Sequence, residues 1–168
     1  PFIYNDVIYI SSNYNQFFAF NNNGTVKWHS TNEDYVITSS SIIFNNIVYI
    51  QDFTSINAFN ISNGSIKWKF PKAVGTSSPC IFNNTLYIGS DNKKIHAIDA
   101  NTGIEKWAYN VGDSIYSGPA IINNILYTGC DHDTVYAINT IDSSTKWKFS
   151  TSGYIISSPT VFNNVVYI

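Results

Sequence analysis

The sequence has no arginine and no methionine, and only 12% of its 168 residues are charged. All nine basic residues are lysines, and the formal net charge is −2. Proteins that bind nucleic acid neutralise its phosphates with clustered lysine and arginine side chains. The lysines here stand singly or in pairs, so the sequence argues against a nucleic-acid partner.

Long apolar runs are also absent. No stretch approaches the roughly 20 apolar residues that a membrane-spanning helix needs, so no transmembrane span is expected. The two cysteines, Cys80 and Cys130, lie far apart and define no disulfide framework. We expect them to be small buried side chains. The sequence begins without methionine or a signal peptide, and we expect further sequence upstream.

What the sequence does contain is a repeat. Tryptophans recur at spacings of 40, 39 and 40 residues, at Trp28, Trp68, Trp107 and Trp147. Tyrosines recur at spacings of 40, 38, 40 and 40 residues, at Tyr9, Tyr49, Tyr87, Tyr127 and Tyr167. The chain is therefore four repeats of about 40 residues followed by the start of a fifth.

Each repeat divides into four short strands, A to D. In residues 77–115 strand A is PCIF, and Asn83-Asn84 turns the chain into strand B, TLYIGS. Tight hairpins need positive φ at both turn positions, which asparagine tolerates well. Strands C and D are IHAIDA and IEKWAY, joined by NTG. No helical period of 3.6 residues is present.

Four strands in each repeat of about 40 residues predict an all-β fold, a β-propeller of four-stranded antiparallel blades. A β-sandwich has no reason to repeat tryptophan and tyrosine at constant phase. The chain is predicted to be a single propeller segment of four full blades plus strands A and B of a fifth. The predicted blades span about 1–35, 36–74, 75–114 and 115–154, with a partial blade over 155–168.

The segment AIDANTGIEKW, residues 97–107, resembles the tryptophan-docking motif of PQQ-type (quinoprotein-like) propeller repeats, Ala-x-Asp-x-x-Thr-Gly-x-x-x-Trp. Altered copies stand at 19–28, 58–68 and 137–147. The resemblance implies that each tryptophan packs between blades, with an alanine and a glycine turn making room. These structural residues are Trp28, Trp68, Trp107, Trp147, Ala19, Ala58, Ala97, Ala137, Gly24, Gly64 and Gly103. In the last repeat Ser144 is expected at the glycine position, without glycine's conformational freedom.

Members of this family form rings of seven or eight blades, so we expect either further blades or self-association to complete the ring. Some members are dehydrogenases that hold pyrroloquinoline quinone (PQQ) and calcium, while others are scaffolds, such as outer-membrane-assembly proteins. The dehydrogenases use an arginine or lysine near the quinone and often an adjacent cysteine pair, whereas this chain has no arginine, no adjacent cysteines and only two glutamates. No catalytic or cofactor-binding residue is assigned, and no cofactor is expected.

The leading hypothesis is therefore a non-enzymatic scaffold that binds a protein partner in an extracellular, periplasmic or cell-surface location. The first alternative is a segment of a PQQ- and calcium-dependent dehydrogenase. The second is a carbohydrate-binding propeller, which the aromatic segment SNYNQFF, residues 12–18, permits.

The D–A and B–C connections differ between repeats, whereas the A–B and most C–D turns are nearly uniform. In a propeller these two variable connections share one face, and binding residues usually lie on variable loops. The charged residues predicted on this face are Glu33, Asp34, Asp52, Asp91, Lys93, Lys94 and Asp113, with Asp131, His132 and Asp133. The last three also offer carboxylate and imidazole ligands for a metal ion, although aspartate is common in turns for local reasons. A cation or a basic protein segment is the expected ligand.

Overall fold

The computed structural model describes residues 1–12, 16–31 and 39–168, and within these ranges it contains eighteen strands and no helix. The strands are β1 Phe2–Tyr4, β2 Val7–Ser11, β3 Gln16–Asn21, β4 Val26–Thr31, β5 Ile42–Phe44, β6 Ile47–Gln51, β7 Ile56–Asn60, β8 Ile66–Phe70, β9 Cys80–Phe82, β10 Thr85–Gly89, β11 Lys94–Asp99, β12 Glu105–Asn110, β13 Ala120–Ile122, β14 Ile125–Gly129, β15 Thr134–Asn139, β16 Thr145–Ser150, β17 Thr160–Phe162 and β18 Val165–Tyr167.

Consecutive strands form four antiparallel four-stranded sheets, β1–β4, β5–β8, β9–β12 and β13–β16, and β17–β18 form a two-stranded sheet. The all-β, bladed architecture predicted from the repeat is confirmed. Strands A to D of each blade are its four strands in chain order. The A strands of the second to fifth blades, β5, β9, β13 and β17, contact one another in turn, so strand A is the innermost strand. No helix in the described ranges is long and apolar enough to cross a membrane.

The A–B hairpins all turn on two residues with positive φ, between 47° and 60°. They are Asn5-Asp6, Asn45-Asn46, Asn83-Asn84, Asn123-Asn124 and Asn163-Asn164. Such turns have a twist that matches the twist of the strands they join. Asparagine and aspartate occupy them because their short polar side chains make the left-handed conformation less costly.

The alanine and tryptophan of each repeat face each other across strands C and D. Trp28 pairs with Ala19, and the same pairing holds at Ala58, Ala97 and Ala137. All four alanines are fully buried. A methyl group opposite the indole leaves the ring room to lie over strand C, and the register of the C–D pair shifts directly after the alanine.

The glycine position of the C–D turn has positive φ in every blade, including the last. Gly24, Gly64 and Gly103 have φ of 83°, 72° and 74°. In the fourth blade Ser143, and not Ser144 as expected, takes this conformation with φ of 56°. The equivalent residue lies four positions before the tryptophan, so the expected alignment was wrong by one residue.

The hydrophobic core lies between blades. Each of three buried clusters joins side chains of two neighbouring sheets, as Tyr9 and Trp28 of the first blade do with Val48 and Phe59 of the second. The equivalent clusters join the second blade to the third and the third to the fourth. Each blade therefore depends on its neighbour for the burial of one face.

Candidate functional site

Three indole nitrogens cross the joints between blades. Trp28 Nε1 donates to the Ile61 carbonyl oxygen at 2.9 Å, Trp68 to that of Ala100 at 3.1 Å, and Trp107 to that of Thr140 at 3.2 Å. In each case the acceptor is the residue that follows strand C of the next blade. Each of these indoles therefore fixes the C–D turn of the next blade relative to strand D of its own blade.

The variable D–A and B–C connections share one end of the blades, which we call the loop face. Among the described residues of the loop face, charged side chains group at the third and fourth blades. Asp113 comes from the connection between β12 and β13, and Asp131 and His132 come from the connection between β14 and β15. One ligand atom from each of these three side chains lies within 4.8 Å of the other two. His132 Nδ1 and Asp113 Oδ2 are in direct contact.

A third acidic group, Asp91, belongs to the same region. Burial raises the pKa of its carboxyl, and the negative charge of Asp131 raises this pKa further. Lys72 forms an ion pair with Glu105, and Lys106 forms one with Asp99. No lysine among the described residues forms an ion pair with Asp91, Asp113 or Asp131, so these aspartates give the loop face a local negative potential.

Backbone hydrogen bonds connect the loops that carry these side chains. The Asp131 amide donates to the Ser114 carbonyl at 2.9 Å, and the Asp91 amide donates to the Val74 carbonyl at 2.8 Å. A Cβ placed on Gly75, whose φ is 123°, would lie 2.5 Å from Asp91 Oδ1. Gly75 thus allows the Asp91 carboxylate to lie against the backbone of the preceding connection. Together with the backbone hydrogen bonds, this contact holds Asp91, Asp113 and Asp131 in a defined arrangement.

Only some of the predicted loop-face residues come together in the structure. Asp113, Asp131 and His132 come together, while Asp133 lies in a left-handed turn with φ of 64° and contacts Thr134. Asp133 is therefore not a member of the possible metal-ligand group. Lys93 and Lys94 are exposed. Glu33 and Asp34 lie outside the described residues, as do residues 13–15 of the aromatic segment.

Asp52 corrects one expectation, because it is fully buried and cannot contribute to an exposed surface. Its Oδ1 accepts hydrogen bonds from the amides of Thr54 and Ser55, both at 2.7 Å, and its Oδ2 accepts one from Asn57 Nδ2 at 2.8 Å. Asp52 therefore stabilises its own B–C turn, as aspartate does in turns generally.

The sequence did not single out a buried network in the third blade. His96 is only 1% exposed, its Nδ1 donates to Glu105 Oε1 at 2.7 Å, and its Nε2 accepts from Asn92 Nδ2 at 3.0 Å. Lys72, from the preceding D–A connection, pairs with Glu105 at 2.9 Å. The network connects two blades. Its sequence signal was a histidine and a glutamate on adjacent strands.

This network predicts a loss of stability in acid. Burial lowers the pKa of His96, so the unfolded chain takes up a proton near pH 6.5 while the folded chain does so only at lower pH. Burial opposes the ionised form of Glu105, but hydrogen bonds from His96 and Lys72 lower its pKa overall. Both groups bind protons more readily in the unfolded chain, so the free energy of unfolding should decrease as pH falls below 6.5.

Denaturant unfolding across pH 5 to 8 measures this loss. In the variant His96→Gln, the free energy of unfolding should decrease less as the pH falls below the ordinary histidine pKa of about 6.5. His29→Gln, at an exposed histidine on strand β4, is the matched control and should leave the decrease in place. Equal pH profiles for His96→Gln and the unmodified chain would contradict the assignment to His96.

The two cysteines are free thiols, Cys80 partly buried and Cys130 buried. Burial raises the pKa of Cys80 to about 12 and also raises that of Cys130. Because the thiolate is the reactive form, neither side chain has the properties of a nucleophile. Both act as small side chains at the joint between the third and fourth blades.

The radial blades and their interblade cores define this protein as a β-propeller. The family described as outer membrane protein assembly factor BamB matches residues 91–168. A quinoprotein glucose dehydrogenase from Gluconobacter oxydans (strain 621H) is 36% identical over 66 residues, which are 33% of this chain and 8% of the relative. BamB from Taylorella asinigenitalis (strain MCE3) is 32% identical over 73 residues, 42% of this chain and 19% of the relative.

Among solved structures, BamB from Moraxella catarrhalis superimposes with a TM-score of 0.85 at 18% identity. The superposition covers 96% of this chain and 51% of that protein. The chain thus spans about half the length of the solved protein and less of the curated relatives. These similarities support the PQQ-type repeat propeller family that the docking motif indicated.

Proposed function

We propose that this chain is a non-enzymatic scaffold that binds a protein partner through the loop face. The observation that carries the proposal is that Asp91, Asp113 and Asp131 come together from three separate connections. Backbone hydrogen bonds hold these connections. None of the three aspartates has a lysine partner in the described part of the chain. Preorganised carboxylates on a rigid propeller attract positively charged side chains at little cost in conformational entropy. The expected ligand is a lysine- or arginine-rich segment of another protein.

The innermost strands support a scaffold over an enzyme. A quinone with several carboxylates requires cationic or hydrogen-bonding side chains near the ring axis, and a calcium ion requires carboxylate or amide ligands. The five A strands read FIY, IIF, CIF, AII and TVF and carry no charged or amide side chain. These inner strands do not fit PQQ and calcium, and we derive no reaction through them.

The family relationship points in the same direction. The family description and one relative carry the name of an outer membrane protein assembly factor. By analogy we place this chain in the cell envelope, in a periplasmic or surface location, where it would join protein partners. Analogy of fold does not transfer function by itself, so the loop-face chemistry is the part of the proposal to test directly.

Titration with two labelled peptides of equal length, one lysine-rich and one glutamate-rich, tests the loop face. The lysine-rich peptide should bind, and the affinity should decrease with added salt because exposed charges are screened. Asp113→Asn or Asp131→Asn should each weaken binding by about 0.5–1 kcal/mol, about two- to fivefold, the usual worth of an exposed ion pair.

Asp142→Asn is the matched control, because Asp142 is an exposed aspartate in a C–D turn on the opposite face. It should leave the affinity unchanged. Equal losses in the Asp113 and Asp142 variants would mean that net charge, not the loop face, governs binding. Equal binding of both peptides would reject the proposal.

The relationship to a quinoprotein glucose dehydrogenase favours one alternative, a segment of a quinone-dependent dehydrogenase. Addition of PQQ and Ca²⁺ followed by dye-linked oxidation of alcohols or sugars tests it. We expect no oxidation. Oxidation that requires the added quinone would contradict the scaffold proposal and support the dehydrogenase alternative.

A further inference from the structure

The joint between the third and fourth blades departs from the repeat at a buried position of strand B. The first residue of strand B is apolar in the other blades, where it is Val7, Ile47, Ile125 and Val165. In the third blade it is Thr85, which is only 5% exposed. The Thr85 hydroxyl accepts a hydrogen bond from Lys106 Nζ at 2.8 Å and donates one to the Asn83 carbonyl oxygen at 3.3 Å. A polar group thus lies at a place that the repeat fills with an apolar side chain.

A second departure lies across the same joint. The residue after strand C accepts the indole hydrogen bond of the preceding blade, and it is Ile61 in the second blade and Ala100 in the third. In the fourth blade it is Thr140, 7% exposed, whose hydroxyl donates to the Asn124 carbonyl oxygen at 3.1 Å. The Tyr87 hydroxyl has both threonine side chains as hydrogen-bond partners. Two buried hydroxyls therefore come together, and their burial costs free energy that the apolar side chains of the other joints do not.

A third departure concerns the turn on which the indole packs. A Cβ on Gly103 would lie 2.7 Å from the Trp68 ring, and the equivalent glycine of the second blade is equally close to its indole. At these two joints the indole therefore lies directly against the turn glycine of the following blade. The fourth blade has Ser143 at this position, with the same left-handed backbone but with a side chain. Because the Trp107 indole cannot approach the turn as closely, space is left between the third and fourth blades.

The two threonines line a cavity of about 350 Å³ at this joint, which we call the joint pocket. Small-molecule sites in proteins have volumes of about 300–1,000 Å³. The pocket is lined by one indole, one ammonium, two hydroxyls and two asparagine side chains, from Trp107, Lys106, Thr85, Thr140, Asn83 and Asn124. Because A–B turns and the start of a C–D turn form it, the joint pocket lies on the face opposite the loop face. Its ligand is therefore separate from the partner of the loop face.

The lining of the joint pocket favours a neutral ligand with several hydroxyl groups. Lys106 Nζ lies 3.4 Å from Asp99 Oδ2, so a carboxylate already balances the ammonium charge and an anionic ligand would have to compete with it. Hydroxyl and amide side chains both donate and accept hydrogen bonds, which matches the hydroxyl groups of a sugar. The Trp107 indole offers an apolar surface on which the C–H face of a sugar ring can pack.

We propose that the joint pocket binds one ring of a neutral sugar. The Trp107 indole contacts the C–H face of the ring, and the hydroxyls of Thr85 and Thr140 form hydrogen bonds with its hydroxyl groups. The three departures from the repeat then have one explanation, since two supply hydrogen-bonding groups and the third makes room for the ring. Positions that break a local rule at some cost in stability are expected at functional sites.

Titration with glucose, galactose, mannose and N-acetylglucosamine tests the joint pocket, with the indole N–H signals of ¹H–¹⁵N NMR spectra as the readout. With at least one of these sugars the Trp107 signal should shift in a saturable way. The Trp28 signal should not shift, because this indole is 7% exposed at another joint. Sugar concentrations up to about 50 mM cover millimolar dissociation constants, the strength expected for a single ring. No shift of Trp107 with any of the sugars, or equal shifts of all the indole signals, would overturn the proposal.

Thr85→Val tests the hydrogen bonds to the sugar. The variant should fold, because valine is the first residue of strand B in two other blades. It should raise the dissociation constant of the sugar about fivefold or more, the usual effect of one lost hydrogen bond. Thr128→Val is the matched control, since Thr128 is a buried threonine near the loop-face end of the fourth blade, and it should leave the affinity unchanged. Equal affinities of the Thr85 variant and the unmodified chain would contradict the proposal.

Ser143→Gly tests the origin of the space. The variant restores the glycine of the other C–D turns, so the Trp107 indole should pack more closely and sugar binding should weaken. Lys93→Gly is the control, because Lys93 also has a left-handed backbone, with φ of 71°, but lies on the loop face. Unchanged sugar affinity after Ser143→Gly would contradict the assignment to this joint. A Trp107 shift with inorganic phosphate and with none of the sugars would identify an anion site and overturn the proposal.

Discussion

Replacing Trp28 by alanine is expected to lower the free energy of unfolding by about 3–5 kcal/mol, the range for large buried aromatic side chains. The indole is 7% exposed, packs with Tyr9 and Phe17 at centroid distances of 5.9 and 5.7 Å, and bonds to the Ile61 carbonyl. The substitution leaves a cavity at the joint between the first two blades and an unpaired carbonyl. Chemical denaturation monitored by far-UV circular dichroism measures the change.

Trp147→Ala is the matched control, because the same substitution at an indole that is 42% exposed removes much less buried surface. Trp147→Ala should lower the free energy of unfolding by about 1–2 kcal/mol. Equal costs at the two positions would mean that burial between blades does not determine the contribution of these tryptophans.

Replacing Gly64 by alanine is the second large effect that we expect. The new methyl group would lie 2.5 Å from Trp28 Cε3, closer than contact distance, and φ of 72° is a conformation that alanine rarely adopts. The backbone conformation costs about 1–2 kcal/mol, and displacement of the packed indole adds about 1–3 kcal/mol. Thermal and chemical unfolding should both show the loss.

Gly24→Ala separates the two contributions. Gly24 has a similar φ of 83° but nothing within 4 Å of its Cβ position, so alanine there bears the conformational cost alone. The two variants should differ in free energy of unfolding by the cost of the contact between the new methyl group and the Trp28 indole. A difference near zero would show that the indole moves away freely and that the glycine is required only for its φ.

The blade pattern was predictable because it rests on local rules that the chain repeats. Two left-handed turn residues fix a hairpin and its register, and alternating apolar residues fix which faces are buried. The error at Ser144 was one of alignment within such a local rule, since the neighbouring Ser143 takes the left-handed conformation.

The arrangement of the loop face was only partly predictable. Asp113 and Asp131 were expected on the same face, but their distance depends on how two connections of different length fold over the ends of their blades. Asp133, next in sequence to His132, points elsewhere because its own backbone takes a left-handed turn. Asp52 was expected on the loop face because it lies in a variable B–C connection, and its burial follows from hydrogen bonds within one turn.

The sequence by itself determined the four-stranded repeat, the hairpin turns and the propeller fold, because each follows from a period of about 40 residues and from contacts within one repeat. Only the tertiary structure decided which side chains meet across blades. It placed Asp91, Asp113 and Asp131 together and paired His96 with Glu105. These relations depend on the packing of one blade against the next, which brings together residues far apart in the chain.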